Sequence, residues 1–197
     1  MWSINTVEWI DIELTSYCNI ECPGCLRQEM SNEVGPLLNK SYITLEDLKK
    51  WIPAGYLPNL KNINFCGSVD EPTTHPEFID IVDYFLDFTD INVATNGSTR
   101  TIKFWKELGN KRISTFFGVD GIDQKSLEKY RIGSNFKKVQ RNWRAFIKAG
   151  GNATWQFIIF EHNKHLLKQA EQMSKDEGFN RFRTIWSHRK NSKEIKK

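Results

Sequence analysis

Apolar residues along this chain switch between two periods. Between residues 7 and 14, Ile10, Ile12 and Leu14 fall on one side and Trp9, Asp11 and Glu13 on the other, the period-two pattern of a strand. Short apolar runs at 61–66, 91–95, 113–119, 153–160 and 181–186 predict five more strands. Helical patterns separate them. Thr44 with Asp47 three residues on resembles a capping box and predicts a short helix to Trp51. Phe78, Ile81, Val82 and Phe85 predict a helix from about Pro76 to Asp87, with Pro76 suited to the first turn. A helix near 100–108 ends at Gly109, and Leu166, Ala170 and Met173 mark the last one. The strongest stripe is Phe136, Val139, Trp143, Phe146 and Ile147 over 135–149, which stops at Gly150-Gly151.

Strands and helices that alternate in this way imply an α/β fold of parallel strands joined by right-handed crossovers. Periodicity alone does not separate a doubly wound sheet from a partial barrel. A length of 197 residues suits one domain, expected over 1–187, followed by a basic tail at 188–197. That tail holds five Lys/Arg and one Glu. Without it the net charge of +4 falls to 23 basic against 23 acidic side chains, so the body gives no support to a nucleic-acid groove. No run approaches the roughly 20 apolar residues that span a bilayer. The N-terminus lacks a basic-then-apolar signal, so a cytoplasmic, reducing compartment is expected, in which clustered cysteines read as metal ligands.

The chemistry concentrates after the first strand, in Cys18-Asn19-Ile20-Glu21-Cys22-Pro23-Gly24-Cys25. This C-x3-C-x2-C run is too crowded for one packed core site. Three thiolates are one short of closing a [4Fe–4S] cluster and leave one iron with an open position. A zinc module competes, but zinc wants four ligands. Only Cys66 remains to complete a set, and the histidines lie far along the chain.

The run resembles the signature of the radical S-adenosylmethionine (radical SAM) superfamily, and so do Glu13-Leu14-Thr15-Ser16-Tyr17 before it and Leu26-Arg27 after it. The resemblance implies a partial (β/α)6 TIM-like barrel with its chemistry at the C-terminal strand ends. It implies a [4Fe–4S] cluster on Cys18, Cys22 and Cys25 and S-adenosylmethionine at the open iron. Reductive cleavage would give a 5′-deoxyadenosyl radical that takes hydrogen from a substrate. Gly67, Asp70 and Glu71-Pro72 resemble the segment that binds the amino group, with either acid able to serve. Arg131 resembles the partner of the methionine carboxylate. Asn96 falls in a turn that lines the cofactor pocket, and Asp120 is a polar contact at the end of the fourth strand. Gln156 and Asn163 are candidates for adenine or ribose, although Asn163 also suits a helix cap, and Trp186 either borders adenine or packs in the core. Relatives usually carry an aromatic at Gly24 and often a serine at Gly118. Cys66 is expected as a packing residue, and His75 and His162 receive no role. No catalytic residue on the substrate is identified.

The implied reductase is a flavodoxin or ferredoxin. The chain looks most like the branch with molybdenum-cofactor and peptide-modifying members, many of which add a C-terminal domain with further cysteines. An open barrel mouth is expected to admit a peptide or protein substrate. A non-catalytic iron–sulfur or S-adenosylmethionine-binding carrier is the reading from another class.

Overall fold

Strands β1 (Trp9–Ile12), β2 (Asn62–Phe65), β3 (Asp90–Thr95), β4 (Ser114–Gly118), β5 (Asn152–Ile159) and β6 (Arg181–Trp186) form one sheet. Every pair is parallel and the spatial order is the chain order. The computed structural model describes residues 3–27 and 41–187. The basic tail at 188–197 and all but Ser41 of the polar connector near 32–41 lie outside the described residues. A doubly wound sheet reverses its strand order at a switch point. This one never reverses, so the strands sweep as a barrel does, and β1 and β6 remain its two edges among the described residues.

The crossovers carry α1 (Leu45–Trp51), α2 (Phe78–Leu86), α3 (Ile102–Gly109), α4 (Gln124–Glu128), α5 (Phe136–Lys148) and α6 (Leu167–Asp176). The local signals behave as their chemistry requires. Thr44 Oγ1 accepts from the Asp47 N–H at 3.1 Å and caps α1. Asn135 caps α5, and Gly150, at φ +94°, takes the left-handed turn that follows it. Pro76 stands in the turn before α2 rather than inside its first turn. The single turn α4 was not expected, because five residues are too few to show a period. Asp123 and Ser126 form its capping box.

The two faces of the sheet differ in kind. Ile63, Phe65, Val93, Phe117, Trp155 and Phe157 point to the helices and are fully buried. Trp105, Trp143 and Trp155 fill the space between sheet and helices. Each keeps its indole N–H satisfied, on Thr99 O, Glu177 Oε2 and Val119 O respectively. The opposite, inner face is polar at its lower end, where one register row joins Asp11, Asn64, Asn92, Ser114 and Asn152. The Asn64 amide donates to Asp11 at 2.7 Å, the Asn92 amide to Asn64 at 2.8 Å, and the Asn152 amide to Ser114 at 3.0 Å. A closed barrel fills this space with branched apolar side chains; here it is lined for water or a polar ligand.

Candidate functional site

Cys18, Cys22 and Cys25 open onto one cavity at the C-terminal ends of the strands, together with Cys66, Gly67, Asp70, Glu71, Asn96, Gly118, Arg131 and Gln156. The loop reaches this position by a tight turn. Cys25 N donates to Cys22 O at 3.1 Å across Pro23-Gly24, and Gly24 sits at φ +65°, which an aromatic at that position would strain. The first half of the loop is tied down. Glu21 N donates to Ile132 O at 2.9 Å, and the Asn96 amide reaches Asn19 Oδ1 at 3.0 Å and Cys18 Sγ at 3.8 Å. Burial, with the Glu71 carboxylate nearby, pushes the Cys18 thiol up to about 12. It becomes a thiolate when a metal takes the proton's place. Among the described residues no three Cys, His, Asp or Glu side chains converge closely enough to hold a single metal ion.

The two acids after β2 play different parts. Glu71 is buried and spends both oxygens on the fold. Oε1 accepts from the hydroxyls of Thr73 and Thr95, each at 2.6 Å, and Oε2 accepts from Asn96 N at 2.6 Å. These bonds hold the ends of β2 and β3 together beneath the cavity. Asp70 accepts from Thr15 N through Oδ2 at 3.1 Å, but its buried Oδ1 has no partner. The neighbour of Asp70 is the Glu13 carboxylate, with which it makes a hydrogen bond only when one of the two holds a proton. Burial, then Glu13, raises Asp70 to about 9. Burial works against charge on Glu13 as well, but the Cys66 thiol, Asp70 and the N–H groups of Ser68 and Val69 outweigh it, and Glu13 is held low.

Glu13 is the residue that sequence reasoning missed. It stood in the text before the cysteines, and its alternation with Ile12 and Leu14 was the available signal. Cys66, read as packing, lines the cavity and donates its thiol to Glu13 at 2.9 Å.

Arg131 is buried. Its Nε donates to Asp120 Oδ2 at 2.7 Å, and its terminal nitrogens lie against Gly118. A Cβ at Gly118 would stand 2.5 Å from Nη2, so the glycine makes the slot that this guanidinium fills. That explains the missing serine. Gly118→Ala is expected to push the guanidinium off Asp120 and lower stability by about 1–3 kcal/mol. Thermal melts check this, and unchanged melting would show that the slot is not tight.

Asp120 and Asn163 are not among the residues lining the cavity. Asp120 is fully buried, accepting from Arg131 and, at 2.7 Å, from Ile158 N. The Asn163 amide donates to Asp120 O and Ile158 O, and its oxygen accepts from Phe160 N, so it locks the turn after β5. Gln156 lines the cavity from the inner face, half-buried. Trp186 is 59% exposed on edge strand β6 and is not among the residues lining this cavity. His75 is structural, its ring nitrogens engaging Ile43 O and Glu77 N. His162 stacks on Phe160.

Residues 12–164 match the family model described as the Radical SAM superfamily. A tungsten-containing aldehyde ferredoxin oxidoreductase cofactor-modifying protein of Pyrococcus furiosus is 31% identical over 117 residues, 58% of this chain and 31% of that protein. A GTP 3′,8-cyclase of Alkaliphilus oremlandii is 24% identical over 149 residues, 73% of this chain and 44% of the cyclase. Among solved structures, SuiB of Streptococcus suis bound to S-adenosylmethionine superposes with a TM-score of 0.74 at 13% identity. That match covers 94% of this chain and 40% of SuiB. The anSMEcpe protein with bound AdoMet matches with a TM-score of 0.71 at 18% identity, over 91% of this chain and 51% of that one. The chain therefore spans about half or less of the length of these relatives. No helix among the described residues is long and apolar enough to cross a membrane.

Proposed function

The chain belongs to the radical SAM superfamily, and from that premise we propose that it binds a [4Fe–4S] cluster through Cys18, Cys22 and Cys25 and cleaves S-adenosylmethionine reductively. When bound, the cluster supplies the electron that splits the sulfonium into methionine and a 5′-deoxyadenosyl radical, which takes hydrogen from a substrate. The observation that carries the reading is one cavity lined by three thiols, by Asp70 with its buried, unpartnered Oδ1, and by a buried guanidinium.

Each residue has work suited to the ligand. Asp70 Oδ1, with Glu13 beside it, accepts from the ligand's ammonium, which removes the like-charge conflict between the two acids. Glu71 holds the strand ends rather than touching the ligand. Arg131, aimed by Asp120, offers its terminal nitrogens to the carboxylate. Gln156, Asn96 and the backbone at Gly67 border the remaining pocket. Gly67 sits at φ +58° with its Cα packed so closely that a Cβ would lie 3.0 Å from Ala94 O. A flavodoxin or ferredoxin supplies electrons. SuiB has been solved bound to the precursor peptide SuiA, and the polar inner face here suits a peptide or protein as well.

The deciding experiment is anaerobic reconstitution with iron and sulfide, then dithionite and S-adenosylmethionine, with chromatography of the nucleoside. 5′-Deoxyadenosine is expected. Iron-loaded protein that yields none would leave a carrier, and protein that binds only zinc would end the reading.

Asp70→Asn separates binding from folding. Asp70 titrates higher folded than unfolded, so its contribution is complete below about pH 4 and is lost as pH rises through about 9. At pH 8 the apo variant is expected to melt higher than the parent, by about 2–4 °C per kcal/mol of relief. S-Adenosylmethionine affinity is expected to drop on the order of tenfold to a hundredfold with the lost charged hydrogen bond. Calorimetry at pH 6 and 8 reads both. Unchanged affinity would remove Asp70 from the site.

A further inference from the structure

We infer that the face formed by α4, the 129–134 loop and the start of α5 is the docking surface for a small acidic one-electron carrier protein. The inference rests on the iron–sulfur reading above and adds where the electron enters.

Position comes first. The 129–134 loop lies directly on the cysteine run. Ile132 O accepts from Glu21 N at 2.9 Å, and buried Tyr130 packs in a small apolar cluster with Ile20, Cys22 and Phe160. A carrier seated here is separated from the cysteines by that one layer. Ile132 itself is 44% exposed and gives the face an apolar centre, the usual anatomy of a contact with a polar rim.

Charge is the second observation. Between 124 and 141 stand Lys125, Lys129, Lys137, Lys138 and Arg141, none in an ion pair among the described residues. Arg131 is buried with its Nε paired to Asp120 and does not belong to this face. The opposing carboxylates are Glu128, Glu21 on the cysteine loop and Asp123, which is occupied in capping α4. The balance reverses on α2 and its flanks, which carry Glu77, Asp80, Asp83, Asp87 and Asp90 with no Lys or Arg between them in the chain, Asp83 pairing with Lys111; on and around α3 the chain again carries Arg100, Lys103, Lys106, Lys111 and Arg112 against Glu107. A body of balanced charge thus carries separate basic and acidic stretches, and a basic stretch beside the cysteine run turns an acidic partner toward it before contact.

The third observation is a local cost. Lys137 and Lys138 occupy the first turn of α5, which has no acidic residue. Cations there oppose the helix dipole by about 0.3–1 kcal/mol each. Asn135 and Gln124 satisfy N–H groups of that turn, but no carboxylate stands in it, whereas an acidic partner would supply one. Electron carriers form small, weak, salt-sensitive contacts, which such a rim suits. The transfer makes no bond: the carrier is oxidised by one electron and the cluster is reduced by one.

The test uses a purified flavodoxin of strongly acidic pI as probe, with dithionite as the non-protein reductant. Two charge-reversal pairs, Lys125→Glu with Lys129→Glu and Lys137→Glu with Lys138→Glu, are compared with Asp80→Lys with Asp87→Lys as control. The basic-face pairs are expected to raise the half-saturating flavodoxin concentration on the order of tenfold at low salt and to flatten its salt dependence. They are expected to leave dithionite-driven cleavage unchanged, and the control pair is expected not to weaken the flavodoxin. Carbodiimide cross-links from flavodoxin carboxylates should map to these lysines. Cross-links elsewhere, unchanged half-saturation, or a cluster that dithionite reduces and flavodoxin does not would each overturn the docking face. Failure of dithionite itself to yield 5′-deoxyadenosine would count against the proposed function instead, and the cross-link map would still decide the face.

Discussion

Alanine at Cys18, Cys22 and Cys25 together is expected to leave a folded chain that takes up no iron–sulfur cluster and cleaves no S-adenosylmethionine. The loss follows from the donor set: all three thiols face one cavity. Removing a ligand acts more strongly than removing an outer partner, which already costs about 10–100-fold in metal affinity. Folding survives because the loop is held by bonds that do not involve sulfur, from Glu21 N to Ile132 O and between Asn96 and Asn19. Cys66→Ala is the comparison. Its thiol is bound to Glu13 rather than grouped with the run, and burial with Glu13 beside it pushes it up to about 12. Iron content after Cys66→Ala should match the parent. Iron and sulfide assays with visible absorbance check both results, and a triple variant that still assembles the cluster would refute the ligand assignment.

Glu71→Ala is expected to unfold the site rather than merely empty it. The carboxylate gathers the Thr73 and Thr95 hydroxyls and the N–H groups of Thr73 and Asn96, all buried. A buried donor left without a partner costs about 1–3 kcal/mol. The hydroxyls can turn elsewhere, since Thr73 also meets Thr99 at 2.5 Å, but the Asn96 N–H cannot. Burial raises the Glu71 pKa and gives part of the loss back when the carboxylate is removed. A net loss of about 3 kcal/mol lowers the melting temperature on the order of 6–12 °C. Asp70→Asn is predicted to move stability the other way, so the neighbouring acids are separable in one calorimetric series. Equal behaviour of the two variants would contradict the division of labour between them.

Much of the architecture was legible because strands and helices of this size impose their periods on the apolar residues. Ile63 with Phe65 and the Phe136–Ile147 stripe face where alternation and helical spacing put them. The single turn α4 was not legible, since its signal is a capping pair rather than a stripe. The site divides in the same way. The cysteines and Gly67, Asp70, Glu71, Asn96, Arg131 and Gln156 all line the cavity. Asp120 and Asn163 sit behind it, because a polar side chain at a strand end can face the pocket or serve a turn, and local sequence looks the same in both cases. Gly118 appeared as a defect until Arg131 was seen to occupy its space.

The sequence by itself determined the alternation of elements, the cysteine spacing and the glycine turn within it, since each depends on residues close together in the chain. Only the tertiary structure decided that the sheet does not reverse, that Glu13 faces Asp70 and that Arg131 lies against Gly118. The register of β1 on β2 brings Glu13 to Asp70, and the return of the chain after α4 lays Arg131 on Gly118, neither of which a local pattern encodes.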